Sequence, residues 1–259
     1  MDWFPLCNYT HYSLQRGFSK PNELAKKCSE NFYPACGIAD YKSISGAISF
    51  YQACLANNVK PIIGCSFDGF SLFAKNKDGW FNLIELVSSI DNDGKIDSSM
   101  LLSITKLGNL ISVAPNESSS PIKGKNFYKK SESFTDVYYT NKEDAGLHRI
   151  MLCSSMKTTL PKISKAIKKG EEVKNHTFFE SNDFYLKDKT EIGEVIINDN
   201  RLKDFKEIYD ECENYNILSQ PNLPKFETPD GQTQKDHLRT LARKGWTDLL
   251  SDKITDPEE

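Results

Sequence analysis

The stretch from Pro34 to Cys65, PACGIADYKSISGAISFYQACLANNVKPIIGC, leaves this chain few folds to adopt. Pro34–Asp40 is a short apolar run closed by an acid, and Lys60–Cys65 is a second, with Pro61 at a strand start. Between them Ser43 is placed to cap a helix in which Ile44, Ala47, Ile48, Tyr51, Cys54 and Leu55 recur at helical spacing. Strand, helix and strand in so short a span make a βαβ unit, which sets two parallel strands side by side through a right-handed crossover. The carboxyl ends of both strands then open on one face, the face that carries the chemistry in α/β barrels and open sheets. Asp40, Tyr41 and Ser66 are expected there.

The rest of the chain repeats the alternation. Trp3–Tyr9 reads as a first strand, followed by a loop through Tyr12, Ser13, Leu14 and Gly17. Pro21 then sits at the first turn of a helix whose inner face is Leu24, Ala25 and Cys28. Ser71–Asn76 reads as a strand, and Phe81, Leu83, Ile84, Leu86 and Val87 line the next helix. Leu110–Ala114 is another buried strand, the polar interval from Asn116 to Ser133 reads as a surface loop, and Phe134–Tyr139 returns to strand character. Asn141 is placed to cap a helix with Ala145, His148 and Met151 on one side. A short helix over Lys203–Asn214 carries Phe205, Ile208, Tyr209 and Cys212, and the charge run Lys165–Glu172 reads as solvated. A last amphipathic helix, from about Thr233 to Leu250, is expected to turn Leu238, Leu241, Ala242 and Leu249 inward. Alternation of this kind predicts a parallel α/β sheet or barrel.

Composition narrows the function. The chain has 259 residues, enough for one large α/β domain with a small appendage. Its net charge of −3, with only five arginines (Arg16, Arg149, Arg201, Arg239 and Arg243), offers no basic stripe for direct nucleic-acid binding. Seven cysteines without a CxxC pair argue against a disulfide framework and a zinc ribbon, and read as small core residues. With no signal-like amino terminus and no apolar run of membrane length, a soluble cytoplasmic protein is expected.

The phrases IADYKS, GAISFY and KPIIGCS, then DVYYTNKEDAGLHRIMLCSSMKTTL, DFYLK at 183–187 and LPKF at 223–226, carry a family resemblance. The chain resembles the PHP (polymerase and histidinol phosphatase) domain in the version found at the amino terminus of bacterial DNA polymerase III alpha subunits. Members of that group read TDHGN, GAVEFY and KPIIGCE at the first three phrases. The resemblance implies a PHP-type distorted (β/α)7-like barrel over 1–187, shortened across 116–133. A helical connector over 188–259 would follow, which in the family leads into the polymerase palm. The family's activity is DNA-directed DNA polymerase, a nucleotidyltransferase, and the palm aspartates responsible are not on this chain.

Active members hold two or three divalent ions at the strand ends, where metal-bound water attacks a phosphate ester. Where the first motif would carry two histidines this chain has Cys7 and Tyr9, and where an aspartate follows it has Arg16. Asp40 stands, but its neighbouring histidine is Tyr41; the glutamate position is Ser66 and the next histidine falls on Gly69. Asp136 stands and the last histidine is Tyr138. Asp40, Asp136 and Cys7 are the residual metal candidates. Two carboxylates and a thiol fall short of what a divalent cluster needs, so no metal cofactor and no catalytic residue is expected. Arg16 is expected to pair with Asp40 or Asp136, with the tyrosines filling the volume of lost imidazoles. His11 reads as lying outside the cluster, His148 as a packing residue, and His176 and His237 as solvated.

The resemblance therefore implies a non-catalytic structural and partner-docking part of a replicative polymerase. Its partners would be the palm and thumb or a separate polymerase chain, and in some members a proofreading exonuclease, with DNA touched only indirectly. The setting would be the cytoplasm of a bacterium or of a phage-infected host. Two alternatives stand beside this reading. One is a divergent metal-dependent phosphoesterase or 3′–5′ exonuclease using Asp40, Asp136 and Cys7; the other is a free-standing, phage-encoded replisome-binding protein.

Overall fold

The computed structural model describes residues 3–197, 201–219 and 226–249. The chain divides into two compact units, Met1–Leu218 and Ser219–Glu259. In the larger unit β1 (Cys7–Asn8) is followed by α1 (Pro21–Glu30), which has Pro21 in its first turn and buries Leu24, Ala25 and Cys28 as expected. The expected βαβ unit is present as β2 (Ala35–Tyr41), α2 (Ala47–Ala56) and β3 (Lys60–Ser66). The two strands pair in parallel from Ala35 opposite Lys60 to Tyr41 opposite Ser66.

The helix differs in detail from its expected form. It starts after Gly46, and the Ser43 hydroxyl instead closes a turn by accepting from the Ser45 amide. The buried face is Ala47, Phe50, Tyr51, Ala53 and Cys54, while Ile48 and Leu55 are exposed. This helix has apolar residues on more than one side, so its orientation is decided by packing against α1 and the strands.

β4 (Ser71–Ala74) runs antiparallel to β3, a correction to the all-parallel expectation. Phe67–Phe70 is too short for a parallel crossover, which needs a dozen or more residues. Gly69 closes this hairpin at φ +91, a conformation that favours glycine. After β4, Asn76 caps α3 (Lys77–Ser88) by accepting from the Gly79 amide at 2.9 Å. Leu83 and Leu86 of that helix are buried as expected, whereas Phe81 is exposed. α4 (Ser98–Thr105), capped by Asp97, was not anticipated. β5 (Leu110–Ala114) pairs antiparallel with β4, and β6 (Phe127–Lys129) pairs parallel with β5. β6 thus falls inside the interval read as surface loop. β7 (Asp136–Val137) pairs with β1.

The strands form a five-stranded sheet, β2-β3-β4-β5-β6, and a two-stranded one, β1-β7. On one side the sheets meet by backbone: the Gly37 amide donates to the Pro5 carbonyl at 2.8 Å, and the Asn8 amide side chain to the Gly37 carbonyl at 2.7 Å. A Cβ on Gly37 would lie 2.1 Å from the Leu6 carbonyl oxygen, so only glycine admits this approach. The result is the barrel-like α/β fold expected. All seven cysteines are free and buried.

Beyond β7 come α5 (Ala145–Ser155), α6 (Leu160–Lys168), α7 (His176–Glu180), α8 (Lys189–Ile197) and α9 (Leu202–Glu211). Asn141 does open this region, through a capping box with Asp144 on the turn that precedes α5. Ile192, Phe205, Ile208, Cys212 and Ile217 belong to the main core. In the smaller unit α10 (Gln234–Leu249) leaves Leu238, Leu241 and Leu249 exposed, a correction to their expected inward placement. Their spacing makes an apolar stripe, but α10 has no second apolar element in its own unit among the described residues. The LPKF phrase, apart from Phe226, lies outside the described residues. No described helix is long and apolar enough to cross a membrane.

Candidate functional site

The carboxyl ends of β2 and β3 open, as the βαβ unit dictates, into a cleft of about 270 Å³. Tyr9, Arg16, Tyr41, Ser66, Gly69, Asp136 and Tyr138 all line it, so motifs far apart in sequence converge. Cys7 and Asp40, the other two expected positions, are buried, each 1% exposed, and do not line it.

Asp40 ends in a closed network. Its carboxylate accepts from the Thr10 amide at 2.6 Å, the Thr10 hydroxyl at 2.7 Å and the Ser13 hydroxyl at 2.6 Å. The Ser13 hydroxyl in turn accepts from the Tyr41 amide at 2.9 Å. Burial raises the Asp40 carboxyl above the usual carboxylate range, and the hydrogen bonds from Ser13 and Thr10 oppose that rise. Asp40 therefore fastens the 10–13 loop to the end of β2.

Asp136 is held by Lys130, whose ammonium donates to both carboxylate oxygens at 2.7 and 2.6 Å. Burial alone would lower the Lys130 ammonium, but the charge on the facing Asp136 carboxylate helps to carry it above its ordinary value. Lys130 is a charged cleft residue that sequence reasoning missed. It sits in the Lys- and Ser-rich interval read as loop, and the aromatic pair Phe127-Tyr128 was the available sign that a strand delivers it.

Arg16, expected to pair with Asp40 or Asp136, pairs with neither. Its guanidinium lies over the Tyr41 ring, 3.4 Å from the centroid, in a cation–π contact. Tyr41 donates its hydroxyl to Asp68, which also takes Lys42 at 2.6 Å. Tyr9 and Tyr138 stack face to face, with centroids 4.4 Å apart and planes 4° from parallel. The Tyr9 hydroxyl is 3.1 Å from that of Ser66, and Ser71 donates to Ser66 at 3.2 Å. The tyrosines thus fill the cleft wall with aromatic rings and hydroxyls.

His148 is buried behind this wall. Its Nε2 lies 2.7 Å from the Arg16 carbonyl oxygen, so the neutral ring donates there, and burial lowers its pKa below the usual histidine value. His11 bonds the Ser19 carbonyl, His176 faces Glu180, and His237 stacks on Phe226.

These donors do not fit a divalent cluster. Both Asp40 oxygens are committed to loop hydrogen bonds, both Asp136 oxygens to an ammonium, and burial pushes the Cys7 thiol up to about 12, leaving it protonated at neutral pH. Among the described residues no group of three or more His, Cys, Asp or Glu side chains is arranged to hold an ion.

Comparison with known proteins points the same way as the motifs. Residues 6–214 match the family described as PHP domain. The DNA polymerase III subunit alpha of Bacillus subtilis (strain 168) is 24% identical over 319 aligned positions, covering 100% of this chain and 27% of the relative. That of Buchnera aphidicola subsp. Acyrthosiphon pisum is 28% identical over 97% of this chain and 26% of its own length. A third, from Ureaplasma parvum serovar 3, is 24% identical over 92% of this chain. The chain thus spans about a quarter of the curated relatives it matches. The Bacillus alignment is longer than the chain itself, so that relative carries extra residues within the matched span. Taken together with the convergence of its motifs on one cleft, the match over most of its length shows that this chain belongs to the PHP domain family.

Proposed function

We propose that this PHP domain is a non-catalytic part of a DNA polymerase III alpha-like replicative polymerase, working as a structural and docking scaffold without a metal cofactor. The observation that carries this reading is the Lys130–Asp136 pair, which places a fixed ammonium on a carboxylate that a hydrolytic ion would need. Arg16, permanently charged and lining the same cleft, adds to the repulsion of a dication. His148 is buried on the Arg16 carbonyl and does not line the cleft, so no imidazole faces it among its lining residues.

The docking half of the proposal rests on α10. Leu238, Leu241, Trp246 and Leu249 are exposed at helical spacing, a face suited to a partner groove. The remaining polymerase domains, on this or a separate chain, are the partners this reading assigns, in the cytoplasm where replication proceeds. Contact with DNA would then come through those domains.

The test is elemental analysis after dialysis against manganese and zinc, read beside hydrolysis of a model phosphodiester and co-elution with a polymerase fragment lacking its own PHP domain. Absence of stoichiometric metal and turnover, with co-elution that Leu241→Asp abolishes, is expected. Stoichiometric metal with turnover abolished by Asp136→Asn would instead make the protein a phosphoesterase.

A further inference from the structure

The two sheets meet in different ways on their two sides. At β1 and β2 they touch through backbone, at Gly37. At β6 and β7 no ladder joins them among the described residues. Lys130 follows β6 directly and continues its pairing, its amide donating to the Ala114 carbonyl at 2.8 Å. Asp136 is the first residue of β7, in register with Cys7. The side-chain bridge from Lys130 to Asp136 therefore spans the unpaired side of the barrel, and both residues line the cleft.

We infer that Lys130 is the built-in cation of this cleft: its tethered ammonium ties the edge of one sheet to the other through Asp136, the structural task that a bound ion would otherwise perform. This rests on the metal-free reading proposed above. The partly buried Asp136 carboxylate takes its counter-charge from within the chain, from the Lys130 side chain six residues away. The side chains of Lys130 and Asp136 are 31% and 24% exposed, so solvent screens the pair only in part. A cation supplied by the sequence needs no metal from the medium, and its geometry is fixed by β6. Lys130 is a positioning residue; it acts on the wall of the barrel and on no reacting atom.

The consequence is that an external cation should substitute for the missing ammonium. Thermal unfolding of the full chain is measured for wild type, Lys130→Met, Asp136→Asn and the double variant, each with chelator and with millimolar manganese. Each single variant is expected to lower Tm by roughly 3–6 °C. The double variant should lose clearly less than the sum of the two, and manganese should restore Lys130→Met alone. Additive losses, or a Lys130→Met protein indifferent to manganese, would overturn the inference. If Lys130→Met does not fold, Asp136→Asn and the double variant still decide: a double variant within roughly 3 °C of Asp136→Asn is expected, and a further fall larger than that overturns the proposal. Metal bound by the wild type would count against the metal-free reading instead, so the two failures are distinguishable.

Discussion

Tyr9 and Tyr138 stack face to face at 4.4 Å across the cleft, one from the end of β1 and the other from the end of β7. Both occupy positions where the family resemblance would place imidazoles. Tyr138 also meets Phe178 and Phe184 edge-on, at 4.7 and 5.9 Å, which ties the stack to the layer behind it. The stacked pair thus packs the wall of the cleft.

Removal of the stack should therefore be a stability lesion. Tyr138→Ala is expected to cost about 2–3 kcal/mol, and the double variant with Tyr9→Ala about 1 kcal/mol less than the sum of the singles. Urea unfolding of the four proteins checks this, and full additivity would mean the ring contact contributes nothing of its own.

Asp40 gives a prediction with a pH sign. Asp40→Ala orphans the Thr10 amide and the hydroxyls of Thr10 and Ser13, a loss of about 3 kcal/mol or more. Burial raises the carboxyl in the fold, so the folded state holds that proton more tightly than the unfolded one. Its contribution is then fully present below the unfolded value near about 3.9 and is lost as pH rises through the folded value. Relative to Asp40→Asn, which does not titrate, the wild type should lose stability between mildly acidic and neutral pH. Parallel unfolding curves for the two proteins across that range would contradict this assignment.

His148 works in the opposite direction. Its folded pKa is lowered by burial, so its contribution is full above about 6.5 and is lost as pH falls through the folded value. The expected slope is at most about 1.4 kcal/mol per pH unit, since one proton is involved. His148→Phe should start from a lower stability, having lost the bond to the Arg16 carbonyl, and should lack that acid slope. Urea midpoints from pH 5 to 7.5 for both proteins make the comparison.

The parts of the site legible in sequence were those carried by strand ends. Once the βαβ unit was placed, Tyr41 and Ser66 had to emerge on one face, and the motifs near Tyr9 and Asp136 had to come to the same place. Other features were beyond one-dimensional pattern. The direction of β4 depends on the four-residue Phe67–Phe70 connection, and apolar periodicity is the same for either direction. The face of α2 depends on α1 and the sheet, since Ile48 and Leu55 are as apolar as the residues that are buried.

What the chain order determined by itself was the alternation of strands and helices, and through it the address of the cleft, because hydrophobic period and capping act over a few neighbouring residues. What only the tertiary structure decided was how the charges in that cleft are settled. Arg16 was the cation visible beside the motifs, yet it stacks on Tyr41, and Lys130 neutralises Asp136 from an interval whose polar composition reads as loop. Ion pairing depends on distance in space and on shared burial, and neither is fixed until β6 and β7 are brought to the two sides of the same gap.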